Sequence, residues 1–168
     1  MVLTWGSSDA REARYNRRAS AQEKNMKRSI VMIAALLPLA AMAAGRVTAK
    51  DLAAIRAVLD SQAAAWNRGD IDAYMAGYAQ SDDTMFVGTD VTRGWTKVRD
   101  RYKAKYDSRT KMGTLTFSDL DLRPLGDNDV VVTGAWLLTR EADAPHGRFT
   151  LIFHRRAEGW RIVYDHSS

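Results

Sequence analysis

Two strand-like runs close the chain, in the stretch FTLIFHRRAEGWRIVYDHSS at residues 149–168. The polar turn between them ends at Gly159, which predicts a β-hairpin because glycine accepts the positive φ that such turns often need. Strand alternation places on one face of the second arm the set Trp160, Ile162, Tyr164 and His166. Asp165 is predicted on the other face. Since both faces of the hairpin carry bulky or ionisable groups, we expect helices to cover one and a second subunit the other.

Positive charge is concentrated at the start of the chain. The 168 residues carry a formal net charge of +5 and contain no cysteine. Residues 1–28 have seven basic and three acidic side chains, a net of +4, whereas residues 45–168 have 18 basic and 17 acidic ones, a net of +1. This length fits one domain. Because residues 45–168 are nearly neutral, charge gives no reason to expect a nucleic-acid partner.

Residues 26–44 have the features of a secretory signal peptide in the expected order. A positive start at residues 26–28 precedes an uncharged apolar run at residues 30–40 and a small-x-small site at residues 41–43. A transmembrane anchor is the alternative, but the run is shorter than the roughly 20 residues that span a bilayer. We expect cleavage to leave a periplasmic or secreted protein without a stable membrane anchor. We also expect residues 1–25 to form an unstructured extension.

Three helices are predicted between residues 48 and 106. Thr48 begins a capping-box pattern in which Asp51 replaces glutamate, and apolar side chains then recur at spacings of three and four as far as Trp66. Asp70 can cap a short second helix. A third helix is expected from about Gly94 through Tyr106. Two short strands are predicted between the second and third helices, at residues 84–87 and 91–92.

The remaining chain has the alternation of long strands. Leu115 and Phe117 share one phase, and Leu120 and Leu122 share the opposite one. A change of phase within a strand predicts a β-bulge, here near Ser118-Asp119, and a bulge bends a sheet. Another strand is expected at residues 130–139, before the closing hairpin. Helices followed by consecutive long strands predict an α+β fold, with three N-terminal helices packed on a curved antiparallel sheet.

Motifs over roughly residues 48–168, on the order of a full domain, resemble the nuclear transport factor 2-like superfamily. They are Trp66-Asn67-Arg68-Gly69-Asp70, Tyr78-Ala79, Asp82-Asp83 and Arg93-Gly94. Within the superfamily the chain is similar to the SnoaL-like branch that includes domain of unknown function 4440. The segments at residues 153–156 and 160–168 also resemble the end of the association domain of calcium/calmodulin-dependent kinase. The resemblance implies a cone-shaped, cystatin-like fold with an apolar pocket, and a homodimer paired through the sheet.

Ketosteroid isomerase has the same fold and uses an aspartate base, with a tyrosine and a protonated aspartate as oxyanion donors. When the shared motifs are matched, the position of the base falls at about Gly88, which has no side chain. The position of the tyrosine donor falls at about Gln62. The resemblance therefore implies that this chain lacks the isomerase base.

Two sets of candidate site residues follow. Asp165 and His166 are the candidate catalytic residues, since a carboxylate and an imidazole in a dry pocket can act as acid and base. The candidate ligand-binding residues are Gln62, Trp66, Tyr78, Trp95, Trp136 and Phe149. Each has a structural alternative: the aromatic rings can be core, His166 can lie at a dimer seam, and Asp165 can pair with an arginine. The candidate arginines are Arg148, Arg155 and Arg161.

No metal or cofactor is expected, because the three histidines have none of the spacings of a zinc site and no phosphate-binding glycine loop is present. Three classes of function remain. The first is an exported module that binds a small apolar molecule as a homodimer. The second is an isomerase, cyclase or hydrolase of the SnoaL-like type that acts on such a molecule. The third is a purely structural oligomerisation domain. Asp165 or His166 opening into a cavity with a perturbed pKa would favour the enzyme. A cavity lined only by tryptophan, tyrosine and phenylalanine would favour the binding module, and a filled cavity with extensive sheet-face contacts would favour the oligomerisation domain.

Overall fold

The computed structural model describes residues 46–168. The predicted extension at residues 1–25 and the predicted signal peptide at residues 26–44 lie outside this range. Within residues 46–168, no helix combines the length and the apolar character needed to cross a membrane.

The described residues form helices first and long strands afterwards. The elements in chain order are α1 (Ala49–Asn67), α2 (Ile71–Met75), β1 (Met85–Val87), β2 (Val91–Arg93), α3 (Trp95–Lys105), α4 (Arg109–Met112), β3 (Thr114–Pro124), β4 (Asp129–Thr139), β5 (His146–Arg156) and β6 (Gly159–Ser167). The three predicted helices are α1, α2 and α3. The single turn of α4 was not predicted, because four residues are too few to show helical periodicity.

The long helix α1 begins at the predicted capping box. The Thr48 hydroxyl accepts a hydrogen bond from the backbone N–H of Asp51 at 3.3 Å, and the Asp51 carboxylate accepts one from the backbone N–H of Thr48 at 2.9 Å. The same carboxylate accepts hydrogen bonds from Arg155 Nη1 at 2.7 Å and Trp160 Nε1 at 3.1 Å. These contacts attach the start of α1 to the closing hairpin, so that the buried face of the helix lies across the sheet.

The sheet has six strands in the order β2-β1-β6-β5-β4-β3. The four long strands, β3 to β6, pair antiparallel with one another, as predicted. The short β1 pairs parallel with β6, with Met85 opposite Tyr164. The sheet is therefore mixed rather than wholly antiparallel. The direction of β1 depends on the position at which the chain leaves the preceding helices. The sequence of its three residues alone does not predict that direction.

A bulge in β3 confirms the phase change seen in the sequence. The register with β4 shifts between Ser118 and Asp121, and Asp119 has a positive φ of 54°. Two residues of β3 thus lie opposite the single residue Gly134 of β4. A Cβ atom at Gly134 would lie 2.5 Å from Cζ of Phe149 and 2.9 Å from Cδ2 of Leu120. Glycine at this position allows the bulged strand and β5 to approach closely where the sheet bends.

A second bulge, in β6, was not predicted. Phe153 pairs with Ile162 whereas Ile152 pairs with Tyr164, so Val163 is an extra residue in the strand. The extra residue reverses the alternation after Ile162. The predicted faces of the strand beyond this point are therefore wrong. Asp165 lies on the same side as Trp160 and Ile162, facing the helices, and His166 lies on the opposite side.

Candidate functional site

A cavity of about 410 Å³ lies between the helices and the inner face of the sheet. Helices α1, α2 and α3 form one wall, and strands β3 to β6 form the other. The lining is mainly aromatic and aliphatic, with contributions from Trp66, Tyr74, Tyr78, Phe86, Tyr102, Tyr106, Leu115, Phe117, Trp136, Leu138, Phe149, Leu151 and Ile162. Asp165 is the one acidic side chain that lines it among the described residues.

Asp165 reaches the cavity because of the bulge at Val163. It is 2% exposed, and its partner across the strands is the buried Leu151. Tyr78 donates a hydrogen bond to Oδ2 at 2.6 Å, and Ser167 donates one to Oδ1 at 2.6 Å. Burial raises the pKa of the Asp165 carboxyl above its usual value, while the hydrogen bonds from Ser167 and Tyr78 act in the opposite direction. The site thus contains a carboxyl group that keeps its proton more readily than an exposed aspartate.

None of the predicted arginine partners pairs with Asp165. Arg148 pairs with Asp119 at 3.3 Å and Arg155 with Asp51 at 2.7 Å. Arg161 donates to the backbone carbonyl of Trp160 at 2.9 Å. Within residues 46–168, Asp165 makes no salt bridge, so tyrosine and serine hydroxyls are its polar contacts. The arginine alternative is therefore wrong, because the bulge at Val163 turns Asp165 to the inner face of the sheet.

Three tyrosine side chains surround this carboxyl group. The hydroxyls of Tyr78 and Tyr102 are 3.3 Å apart, and the ring centroids of Tyr74 and Tyr102 are 5.3 Å apart. Since the Tyr78 proton is donated to Asp165, the hydroxyl of Tyr102 donates to Tyr78. Burial raises the pKa of both Tyr78 and Tyr102 well above the usual value. These phenols therefore stay protonated and form a short hydrogen-bonded chain that ends at Asp165.

Five of the six candidate ligand-binding residues line the cavity. They are Gln62, Trp66, Tyr78, Trp136 and Phe149. Gln62 is 2% exposed, and its Nε2 donates to the backbone carbonyl of Tyr74 at 3.0 Å. Gly88, the position matched to the isomerase base, also lines the cavity.

Trp95 does not line the cavity. As the first residue of α3, it donates from Nε1 to the backbone carbonyl of Met75 at 3.1 Å. The guanidinium of Arg99 lies 5.2 Å from its ring centroid. Tyr102 and Tyr106, two and three turns further along the chain, do line the cavity, whereas the first turn of α3 packs on α2.

His166, the second candidate catalytic residue, is exposed. It pairs with Thr150 of β5 and is among the residues that line the cavity, although its side chain is not buried. His154 contacts Asp129, with 2.7 Å between Nδ1 and Oδ1. Among the described residues, no cluster of three potential metal ligands occurs. The arrangement thus brings Asp165, but not an imidazole, into the interior.

Sequence reasoning missed the contribution of Tyr74, Phe86 and Tyr102 to the cavity. Tyr74 and Tyr102 were recognisable as apolar-face residues of α2 and α3, but helical spacing alone does not distinguish a cavity wall from a filled core. Phe86 contacts the edge of Tyr102, with ring centroids 5.8 Å apart. Its placement depends on the pairing of β1 with β6, which the sequence did not reveal.

Comparison with known proteins agrees with this architecture. Residues 55–168 match the model of the SnoaL-like domain family. A solved NTF2-like protein of unknown function from Shewanella oneidensis MR-1 is 36% identical, with 70% of this chain and 98% of that chain covered and a TM-score of 0.67. None of the curated proteins matches the chain.

More distant structures share the fold alone. An NTF2-like protein of unknown function from Pseudomonas putida KT2440 is 20% identical, over 74% of this chain and 89% of that chain, with a TM-score of 0.61. A Xanthomonas campestris protein described as a calcium/calmodulin-dependent protein kinase II association domain is 19% identical. The match covers 68% of this chain and 84% of that chain, with a TM-score of 0.55. The family match, the relative at 36% identity and the helices packed on a curved sheet give one conclusion: the chain belongs to the SnoaL-like domain family of the nuclear transport factor 2-like superfamily.

Proposed function

We propose that this domain binds a small, largely apolar molecule in the cavity between α1 and the sheet. The observation that carries the proposal is a volume of about 410 Å³ lined mainly by aromatic and aliphatic side chains. Small-molecule sites of proteins are typically apolar clefts of about 300–1,000 Å³ with a few polar groups that orient the ligand. A domain that serves assembly alone has no use for such a space, and this argues against the purely structural alternative.

Asp165 and Tyr78 supply the polar groups that orient the ligand. A carboxyl group with a raised pKa can donate a hydrogen bond when protonated and accept one when ionised. It lies within an otherwise apolar lining, where a hydrogen bond is stronger than in water. We therefore expect the ligand to place one hydroxyl or carbonyl oxygen near Asp165, while its apolar body contacts rings such as Trp66 and Phe117.

Native mass spectrometry of protein purified from its own host tests the proposal. We expect a mass above that of the polypeptide, which organic solvent removes. The matched variants are Leu138→Phe and Leu137→Phe, neighbouring residues on opposite faces of β4. Leu138 is 3% exposed and lines the cavity, whereas Leu137 is 37% exposed on the outer face. Loss of the added mass in Leu138→Phe but not in Leu137→Phe supports the proposal, and equal retention in both variants contradicts it.

A second candidate function is acid–base catalysis on the same kind of molecule. A buried carboxyl group with a raised pKa, beside a tyrosine hydroxyl, favours it. In this role ionised Asp165 removes a proton from carbon next to a substrate carbonyl. The resulting carboxyl group exchanges this proton with solvent and then returns a solvent-derived proton to carbon. Mass spectrometry of ketones incubated with the protein in deuterium oxide tests it. Deuterium uptake that Asp165→Asn abolishes supports catalysis, and uptake equal to that of the buffer alone leaves binding as the function.

We also propose that the domain is exported and forms a homodimer through the outer face of the sheet. The leader-like segment at residues 26–44 supports export. Val131, Ile152 and Leu137 on the face away from the helices support pairing, because this face is only partly covered within the described residues. N-terminal sequencing of the mature protein and its mass by light scattering test these two points. Assignment to the branch with domain of unknown function 4440 likewise remains a prediction.

A further inference from the structure

The positive charge of the folded domain is concentrated on one helix. Helix α3 carries five basic side chains and one acidic one, a net of +4, whereas residues 45–168 together have a net of +1. Two of the five basic groups are neutralised locally, since Arg99 pairs with Asp100 at 2.9 Å and Lys103 pairs with Asp72 at 2.8 Å.

The other three basic groups are Lys97, Arg101 and Lys105. Their spacing of four places them along one side of α3. Within residues 46–168, none of the three has an acidic side chain within ion-pair distance. Arg101 and Lys105 line the cavity, whereas Lys97, one turn earlier, does not.

Aromatic rings of the cavity wall position these two cations. The guanidinium carbon of Arg101 lies 5.1 Å from the ring centroid of Phe86, and Nζ of Lys105 lies 5.4 Å from that of Tyr106. Both rings also line the cavity. Cation–π contact of this kind orients a cation while its N–H groups stay available as donors. Arg101 is only half-buried and donates no hydrogen bond within the described part of the chain, so its donors are free for a ligand.

We infer that the cavity selects an organic anion, with its acid group at Arg101 and Lys105 and its apolar body among the aromatic side chains. This inference rests on the proposed binding function and adds the charge of the ligand. A guanidinium matches the geometry of a carboxylate or a sulfonate, and a neighbouring ammonium adds a second point of attraction. Neutral apolar molecules use the same cavity but lack this contact.

Two fluorescent probes of similar shape test the inference. Anilinonaphthalene sulfonate is an aromatic anion, and N-phenylnaphthylamine is the same ring system without the acid group. In the wild-type protein we expect each probe to displace the other. In the double variant Arg101→Gln/Lys105→Gln we expect the Kd of the anion to rise about tenfold, as for the loss of two partly exposed ion pairs. The Kd of the neutral probe should change less than about twofold.

The control is Lys97→Gln/Lys103→Gln, which removes the same charge from the same helix outside the cavity lining. Thermal unfolding of both double variants verifies that the domain stays folded. The inference is supported if Arg101→Gln/Lys105→Gln weakens binding of the anionic probe alone and the control variant leaves that binding unchanged. The inference is overturned if the affinity for the anionic probe is unchanged, if both probes bind equally more weakly, or if the control variant weakens the anionic probe as much. In each of these cases the binding function itself stands. Failure of either probe to bind at all counts against the binding function itself.

Discussion

The hydroxyl of Tyr78 lies 2.6 Å from Oδ2 of Asp165, and both residues are 2% exposed. Tyr78 follows α2 and forms a parallel bridge with Ile162 of β6, and Asp165 lies three residues further along that strand. Removing the hydroxyl leaves a buried carboxyl group with fewer donors. Tyr78→Phe should therefore lower the free energy of unfolding by about 1–3 kcal/mol, as measured by urea denaturation at neutral pH.

The pH dependence of stability should report on Asp165. Its pKa in the folded state is raised above the ordinary value of 3.8, so the folded state retains the proton that the unfolded state loses. The resulting stability is full below 3.8 and is lost as the pH rises from there through the raised pKa. Asp165→Asn lacks this loss. We expect its free energy of unfolding, relative to wild type, to increase as the pH rises from about 4 through the raised pKa of Asp165.

Urea unfolding of both proteins across that range provides the measurement. Tyr78→Phe is a useful comparison, because it keeps the titrating carboxyl group and should retain the pH dependence. If the difference in free energy of unfolding between wild type and Asp165→Asn does not vary with pH, burial does not raise the pKa of this carboxyl group.

Asp51 should have the opposite pH dependence. Hydrogen bonds from Arg155 and Thr48 hold the pKa of its carboxyl below the ordinary value of 3.8. The stability that this group contributes is present above 3.8 and is lost as the pH falls through the lowered pKa. Asp51→Asn should thus have a lower urea midpoint than wild type at neutral pH, and the gap should narrow in acid. Thr48→Ala removes the capping hydroxyl and its hydrogen bond to the Asp51 carboxylate. It should cost about 1 kcal/mol at neutral pH and less in acid, because that hydrogen bond helps to lower the pKa of Asp51.

The bulge in β3 places Asp119 at a φ of 54°. A β-branched residue is strained in this region, and aspartate or asparagine is tolerated. Asp119→Val should destabilise the domain by about 1–2 kcal/mol, whereas Asp119→Asn should not. Arg148→Gln controls for the loss of the ion pair with Asp119, which is exposed and should contribute less than about 1 kcal/mol. Equal effects of valine and asparagine in urea denaturation would indicate that the backbone is unstrained there.

Gly134 connects the sheet bend to the size of the cavity. A methyl group at this position meets the Phe149 ring at 2.5 Å, and that ring lines the cavity. Gly134→Ala should push the ring inward, lower the free energy of unfolding by about 1–3 kcal/mol and weaken binding of N-phenylnaphthylamine. A methyl group at Gly126 would meet no atom within 4 Å, so Gly126→Ala is the matched control. Unaltered probe binding in Gly134→Ala would mean that Phe149 moves away from the cavity.

Local pattern was sufficient to predict the capped helix α1, the turn at Gly159 and the bulge near Asp119. In each case a few neighbouring residues decide the conformation: a hydroxyl three positions before a carboxylate, a glycine at positive φ, or a visible change of apolar phase. The α+β class followed from the order of these elements.

The bulge at Val163 left no comparable signal. Bulky side chains continue at every second position from Trp160 to His166, so the sequence reads as an unbroken alternation. The true register depends on pairing with β5 and on the burial of Asp165 beneath Tyr78, which are contacts between distant parts of the chain. The same is true of β1, whose parallel partner lies almost eighty residues away, and of Trp95, whose indole is bound by α2.

The extra residue at Val163 also affects how this chain should be aligned with its relatives. Here the buried acid comes five positions after Trp160, whereas a strand without the insertion would present its inward residue four positions after the matching tryptophan. With a relative that lacks the extra residue, an alignment that allows no gap in this strand would equate Asp165 with a solvent-facing residue. Searches for a shared acid in homologous proteins therefore need to compare spatial positions rather than columns.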